Sequence, residues 1–137
     1  MAKQVRDAMT THPAWVEPSQ SIVEAARMME EEDVGSLPVC QNDRLVGILT
    51  DRDIVVRTVA QAREPSSVTV GDVASKDLKT VRPDQDLDEA LQLMAQEQVR
   101  RLPVVEDGKL VGVLAQADVA EHAADAQAGR VLEQISR

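Results

Sequence analysis

At 137 residues the chain has the length of one ordinary domain, and 43% hydrophobic residues are enough to build a core. One Trp and no Phe or Tyr leave Val, Leu, Ile, Ala and Met to fill that core, and remove the stacking platforms that single-strand binders use. A formal net charge of −9 excludes non-specific binding to nucleic acid and to anionic membranes, so a small anion is held only where basic residues gather locally.

The first element is a short amphipathic turn, Val5 to Met9. An extended piece then ends at Val16-Glu17-Pro18, because proline restricts the residue before it. A helix follows from Ser21, where Ser21-x-x-Glu24 resembles a capping box. Ile22, Ala25, Ala26 and Met29 put its apolar residues on one face. The run Glu30-Glu31-Glu32-Asp33 at its end reads as solvated surface. Strands at Leu37 to Cys40 and Leu45 to Leu49 join through Asn42-Asp43-Arg44, and a second helix starts near Thr50. Its Ile54, Val55, Val56 and Val59 spread apolar surface further round the helix than packing on one sheet requires, which predicts self-association.

The same elements then recur. Val70 to Ala74 repeats the turn, Val81-Arg82-Pro83 the extended piece, and Asp86-x-x-Glu89 the helix start, with Leu87, Ala90, Leu91 and Met94 on its apolar face. Strands at Leu102 to Val105 and Leu110 to Leu114 turn at Asp107-Gly108, a strong hairpin signal, and a last helix starts near Ala115. Pro38/Pro103, Gly47/Gly112, Glu24/Glu89, Met29/Met94 and Asp53/Asp118 all keep one ungapped offset, so the chain is a duplication running from about Val5 to Ala60 and from Val70 to Asp125. The predicted class is α+β, two β-α-β-β-α units. One unit of about 55 residues buries too little surface alone, and pairing about a pseudo-twofold axis solves that. The expected division is 1–64, 65–126 and a tail, 127–137, whose Val131, Leu132 and Ile135 form a short packed helix or fray.

No run approaches the roughly 20 apolar residues of a membrane span, Met1-Ala2-Lys3-Gln4 lacks the apolar stretch of a signal peptide, and Cys40 has no second cysteine, so a cytoplasmic protein is expected. His12 and His122 lie far apart in unlike contexts, which leaves a metal without ligands. Cys40 stands where the second copy has Val105 and reads as a small core residue. Met9, Met28, Met29 and Met94 read as core filler, and Trp15 either fills the core or covers a base pocket. No P-loop, dinucleotide fingerprint or nucleophile elbow is present, so no enzyme is expected.

The Val-x-Pro before a helix, the Leu-Pro-Val strand and Gly47-Ile48-Leu49-Thr50-Asp51-Arg52-Asp53 resemble the CBS-domain family, over nearly the whole chain and in both copies. The resemblance implies a stand-alone tandem pair, or Bateman module, that senses AMP, ADP, ATP or S-adenosylmethionine in clefts between the copies. It implies no required cofactor, a disc-shaped homodimer, and a regulated protein that the sequence does not identify.

The family's Gly-x-x-Thr-x-x-Asp signature falls on Gly47, Thr50 and Asp53. A carboxylate can accept bonds from vicinal ribose hydroxyls, and a hydroxyl with free N–H groups at a helix start suits a phosphate. Gly47 would let a ligand approach the backbone. Thr50-x-x-Asp53 is equally a capping box, and the two roles are compatible. The second copy keeps Asp118 but has Ala115 in place of the threonine. By the resemblance, the phosphate partners of Thr50 and Asp53 come from the other copy as Arg100 and Arg101, while Asp118 faces Gly35 and Ser36, so one site is competent and one degraded. Arg100 and Arg101 also suit a helix end. Arg52 is a third phosphate contact or a surface residue, and Ile48 and the backbone near Thr80 would take the adenine. A ligand-free scaffold and an S-adenosylmethionine sensor are the alternatives.

Overall fold

The computed structural model describes residues 3–122. In chain order they form α1 (Val5–Ala8), β1 (Thr10–Thr11), α2 (Ile22–Glu32), β2 (Ser36–Gln41), β3 (Arg44–Thr50), α3 (Asp51–Ile54), a π-helical turn (Val55–Val59), a 3-10 turn (Pro65–Ser67), α4 (Val70–Val73), α5 (Leu87–Glu97), β4 (Arg101–Glu106), β5 (Lys109–Ala115) and α6 (Gln116–His122). They gather into two compact units, residues 14–78, and residues 3–13 together with 79–122. The expected 127–137 tail lies outside the described residues.

In the 14–78 unit, β2 and β3 pair antiparallel from Ser36–Thr50 to Gln41–Arg44. Asn42 and Asp43 both take positive φ, 53° and 66°, as a two-residue hairpin turn demands. The register shifts after Val39, so that Val39 faces Gly47 and Cys40 faces Leu45. Val16 is joined to this hairpin by a parallel bridge to Val39. Helix α2 buries Ile22, Ala25 and Met29 against Val16, Leu37, Val39 and Leu49. Its start is half of the expected capping box. Ser21 Oγ accepts from the Glu24 amide at 3.2 Å, but the Glu24 carboxylate is taken by Gln20 Nε2 at 3.1 Å. It ends on Asp33 at φ 54°, with the Val34 amide returning to the Met29 carbonyl.

The unit of residues 3–13 and 79–122 repeats the hairpin in β4 and β5, turning at Asp107-Gly108, with β1 as a further strand pairing Thr10 with Val113 and Thr11 with Gly112. Its core holds Val5, Ala8, Val81, Leu87, Ala90, Leu91, Met94, Leu102, Val104, Leu114 and Val119. The capping box expected at Asp86 is absent, since its side chain makes no cap bond. The Glu89 amide bonds the Asp86 carbonyl at 3.1 Å, and the Leu87 amide donates to the Lys3 carbonyl at 2.8 Å.

That bond joins residue 3 to the long helix of the second copy, so the compact units do not coincide with the sequence copies. Each leader helix belongs to the body of the other copy. The Val5 and Arg6 amides donate to the Gln85 and Pro83 carbonyls, so α1 lies with α5. The Val70 and Gly71 amides donate to Gln20 and Pro18, and the Ile22 amide to Val68, so α4 lies with α2. One orphan amide at each long helix start, that of Ile22 or Leu87, is thereby satisfied by a segment distant in sequence.

Candidate functional site

Strand β3 ends at Thr50, whose extended backbone turns the chain into α3. Thr50 and Asp53 close a reciprocal capping box. The Asp53 amide donates to Thr50 Oγ1 at 3.0 Å and the Thr50 amide donates to Asp53 Oδ2 at 2.9 Å. Asp53 is half-buried, and its Oδ1 takes no bond among the described residues. The expectation of free N–H groups here is corrected. Asp51 N–H donates to the Gly35 carbonyl at 2.9 Å, Arg52 N–H to Asp51 Oδ1 at 2.8 Å, and Asp53 N–H to Thr50. Two carboxylates, Asp51 and Asp53, occupy this first turn, so a phosphate there depends on basic residues from elsewhere.

Gly47 is also required by packing within its own unit. A Cβ there would lie 2.9 Å from the Ser75 carbonyl oxygen. Ile48, half-buried, exchanges backbone bonds of 2.9 and 2.8 Å with Ser75. The chain's own backbone at Ser75 thus lies against the Gly47–Ile48 segment of β3. Arg52 is exposed.

Asp118 lies in the other unit and is also held, by a residue that spacing did not suggest. Thr10 Oγ1 donates to Asp118 Oδ2 at 3.2 Å. Thr10 occupies the place that Ser75 has in the other copy, but Ser75 Oγ accepts from the Asp77 amide instead, so the repeat frame gave no signal for this bond. Arg101 pairs with Ala115 across β4 and β5, and the Gln116 amide donates to the Arg100 carbonyl at 2.8 Å. Within their own unit, therefore, Arg100 and Arg101 flank the Ala115–Asp118 junction, while Gly35 and Ser36 flank Thr50. Both arginines and Thr80 are exposed.

Two further residues were missed. The Gln20 and Gln85 side chains each bind the backbone at the Val-x-Pro corner, from the Glu17 and Arg82 amides at 2.8 and 2.7 Å, and then reach Glu24 and Glu89. Cys40 is buried, and that burial, with the charge of Asp43, pushes its thiol up to about 11, so it is neutral at physiological pH. Met29 and Met94 are buried core, as expected, whereas Trp15 is 39% exposed and is no core filler.

A family model for the CBS domain matches residues 5–59 and 70–125. The CBS domain-containing protein YhcV of Bacillus subtilis is 45% identical over 133 residues, covering 96% of this chain and 94% of its own. The crystal structure of Hypoxic Response Protein I with two coordinated zinc ions is 38% identical with a TM-score of 0.79, covering 88% of this chain and 99% of the other. Among the described residues no group of three His, Cys, Asp or Glu side chains is placed to hold a metal. The CBS domain pair of protein MJ0100, in complex with 5′-methylthioadenosine and S-adenosyl-L-methionine, is 25% identical with a TM-score of 0.77, covering 89% and 96%. Among the described residues no helix is long and apolar enough to cross a membrane. With both copies matched end to end, the chain belongs to the CBS-domain family, as a tandem pair of the regulatory kind.

Proposed function

We propose that this protein is a cytoplasmic, non-catalytic sensor of an adenosine-containing ligand, AMP, ADP or ATP, acting as a homodimer on another protein. The supporting observation is the half-buried Asp53 carboxylate. Its Oδ2 is fixed by the Thr50 amide, and its Oδ1 remains for vicinal ribose hydroxyls. In this proposal Thr50, Asp53 and Ile48 act with Thr80, Arg100 and Arg101, the arginines carrying the phosphate. Arg52 adds a charge at the rim, and Asp118 belongs to the weaker second site. The ligands of the MJ0100 pair support the adenosine class.

A second reading, a phosphate-free adenosine derivative such as S-adenosylmethionine, draws support from the acidic, amide-filled first turn of α3. Calorimetric titration with AMP, ADP, ATP and S-adenosylmethionine separates the two. Nucleotide sensing predicts binding that is lost in Asp53→Ala and weakened roughly 10- to 100-fold in Arg101→Ala. The second reading predicts the same loss in Asp53→Ala and indifference to Arg101→Ala. Absence of heat with all four ligands leaves a ligand-free scaffold and rejects both.

A further inference from the structure

The two copies hold their acids by different devices. Asp53 Oδ2 accepts from the Thr50 amide, three residues away. The second copy has Ala115 at the matching place, with no hydroxyl to complete a capping box. Asp118 Oδ2 accepts instead from Thr10 Oγ1 at 3.2 Å, a residue 108 positions earlier. Its Oδ1, like that of Asp53, takes no bond among the described residues. The backbone fixes where Thr10 stands. Thr10 pairs with Val113 and Thr11 with Gly112, and a Cβ on Gly112 would lie 2.8 Å from the Thr10 carbonyl oxygen. Strand β1 is thus pressed onto β5, and β5 runs directly into α6, which carries the half-buried Asp118 in its first turn. Ser75, at the repeat position of Thr10, makes the same close backbone approach to its own hairpin. Its Oγ engages the Asp77 amide at 3.3 Å rather than Asp53. One copy therefore sets its acid with the neighbouring threonine and leaves the crossing strand unused. The other has lost that threonine and uses the crossing strand.

We propose that Thr10 is the positioning residue of the second site. Standing in for the threonine missing at 115, it fixes one oxygen of Asp118 and leaves the other for a ribose hydroxyl. This copy then takes a nucleoside although its signature is incomplete. The proposal rests on the adenosine reading above and deepens it, giving the weaker site its own means of orienting the acid. A carboxylate already held in place loses less freedom when the ligand arrives. A hydrogen bond to a charged group corresponds to about tenfold in affinity or more.

Adenosine, the part shared by the ligands of both readings, is the probe. In Asp53→Ala, which removes the first site, the backbone amide signals of residues 115–118 are followed by NMR to millimolar adenosine and are expected to shift and saturate. Adding Thr10→Val should weaken that binding about 10-fold. Adding Thr10→Ser, which keeps the hydroxyl, should leave it near the parent value. A merely structural role predicts the opposite order, because valine suits a strand better than serine. Without ligand, the carboxyl carbon signal of Asp118 should move in Thr10→Val and return in Thr10→Ser. Unchanged or tighter adenosine binding in Thr10→Val overturns the proposal. So does an Asp53→Ala protein with no second site when the wild type binds adenosine. A wild type that binds no adenosine sinks the adenosine reading itself. The carbon signal then decides alone whether Thr10 positions Asp118, and no movement in Thr10→Val overturns that as well.

Discussion

Asp53 gives one carboxylate oxygen to the chain and keeps the other, so capping and ligand binding need not compete at that residue. The Thr50-x-x-Asp53 spacing was legible because both partners lie on one helical turn. The Thr10–Asp118 bond was not, because its ends meet only through the fold. Cys40 was legible as a core residue from Val105 at its repeat position, and burial gives it a measurable signature. Its thiol titrates at about 11 instead of 9.0, so the folded state holds a proton that the unfolded state releases first. The corresponding stability is fully present below pH 9.0 and is lost as pH rises through about 11. Cys40→Val should therefore flatten the alkaline fall of the urea midpoint across that window. Identical pH profiles for the two proteins would show that the thiol is not held protonated by burial.

At the scale of elements, the repeat frame located every hairpin and long helix, because hydrophobic spacing and turn residues act locally. It did not reveal the π-helical turn at Val55–Val59, nor the missing cap at Asp86, where the Glu89 amide bonds the Asp86 carbonyl instead of its side chain. Gly47 shows how an element-level constraint resembles a ligand motif. Ser75 crosses β3 so closely that any Cβ at 47 meets its carbonyl at 2.9 Å, and Gly112 repeats the arrangement with Thr10 at 2.8 Å. Backbone on both sides leaves little room to relax. Gly47→Ala is expected to cost about 1–3 kcal/mol in denaturant unfolding. Gly35→Ala, which meets only the Asp51 side chain at 3.2 Å, should cost less. Equal losses would mean that the crossing at Ser75 yields as easily as a side chain.

At the scale of the whole chain, the duplication was legible and the composition of each compact unit was not. A constant offset relates the copies, but it cannot tell which body a leader helix joins. That choice rests on the Lys3–Leu87 and Val68–Ile22 bonds and on Val5 and Val70 being fully buried. Deleting residues 1–8 should therefore damage the far end of the sequence. Hydrogen exchange is expected to speed up in α5, which loses Val5, Ala8 and the Lys3 carbonyl, and to stay slow in α2. Faster exchange in α2 alone would assign the leader to its own copy instead. The exchanged leaders also set an order of assembly on the ribosome. Residues 14–78 are contiguous and can close as soon as they emerge, whereas α1, synthesised before them, must wait for β5 and α6 before its own unit is complete. Residues 3–13 are thus made before residues 14–78 and find their place after them, and a stall in translation after Leu78 would leave one finished unit beside an unpartnered strap.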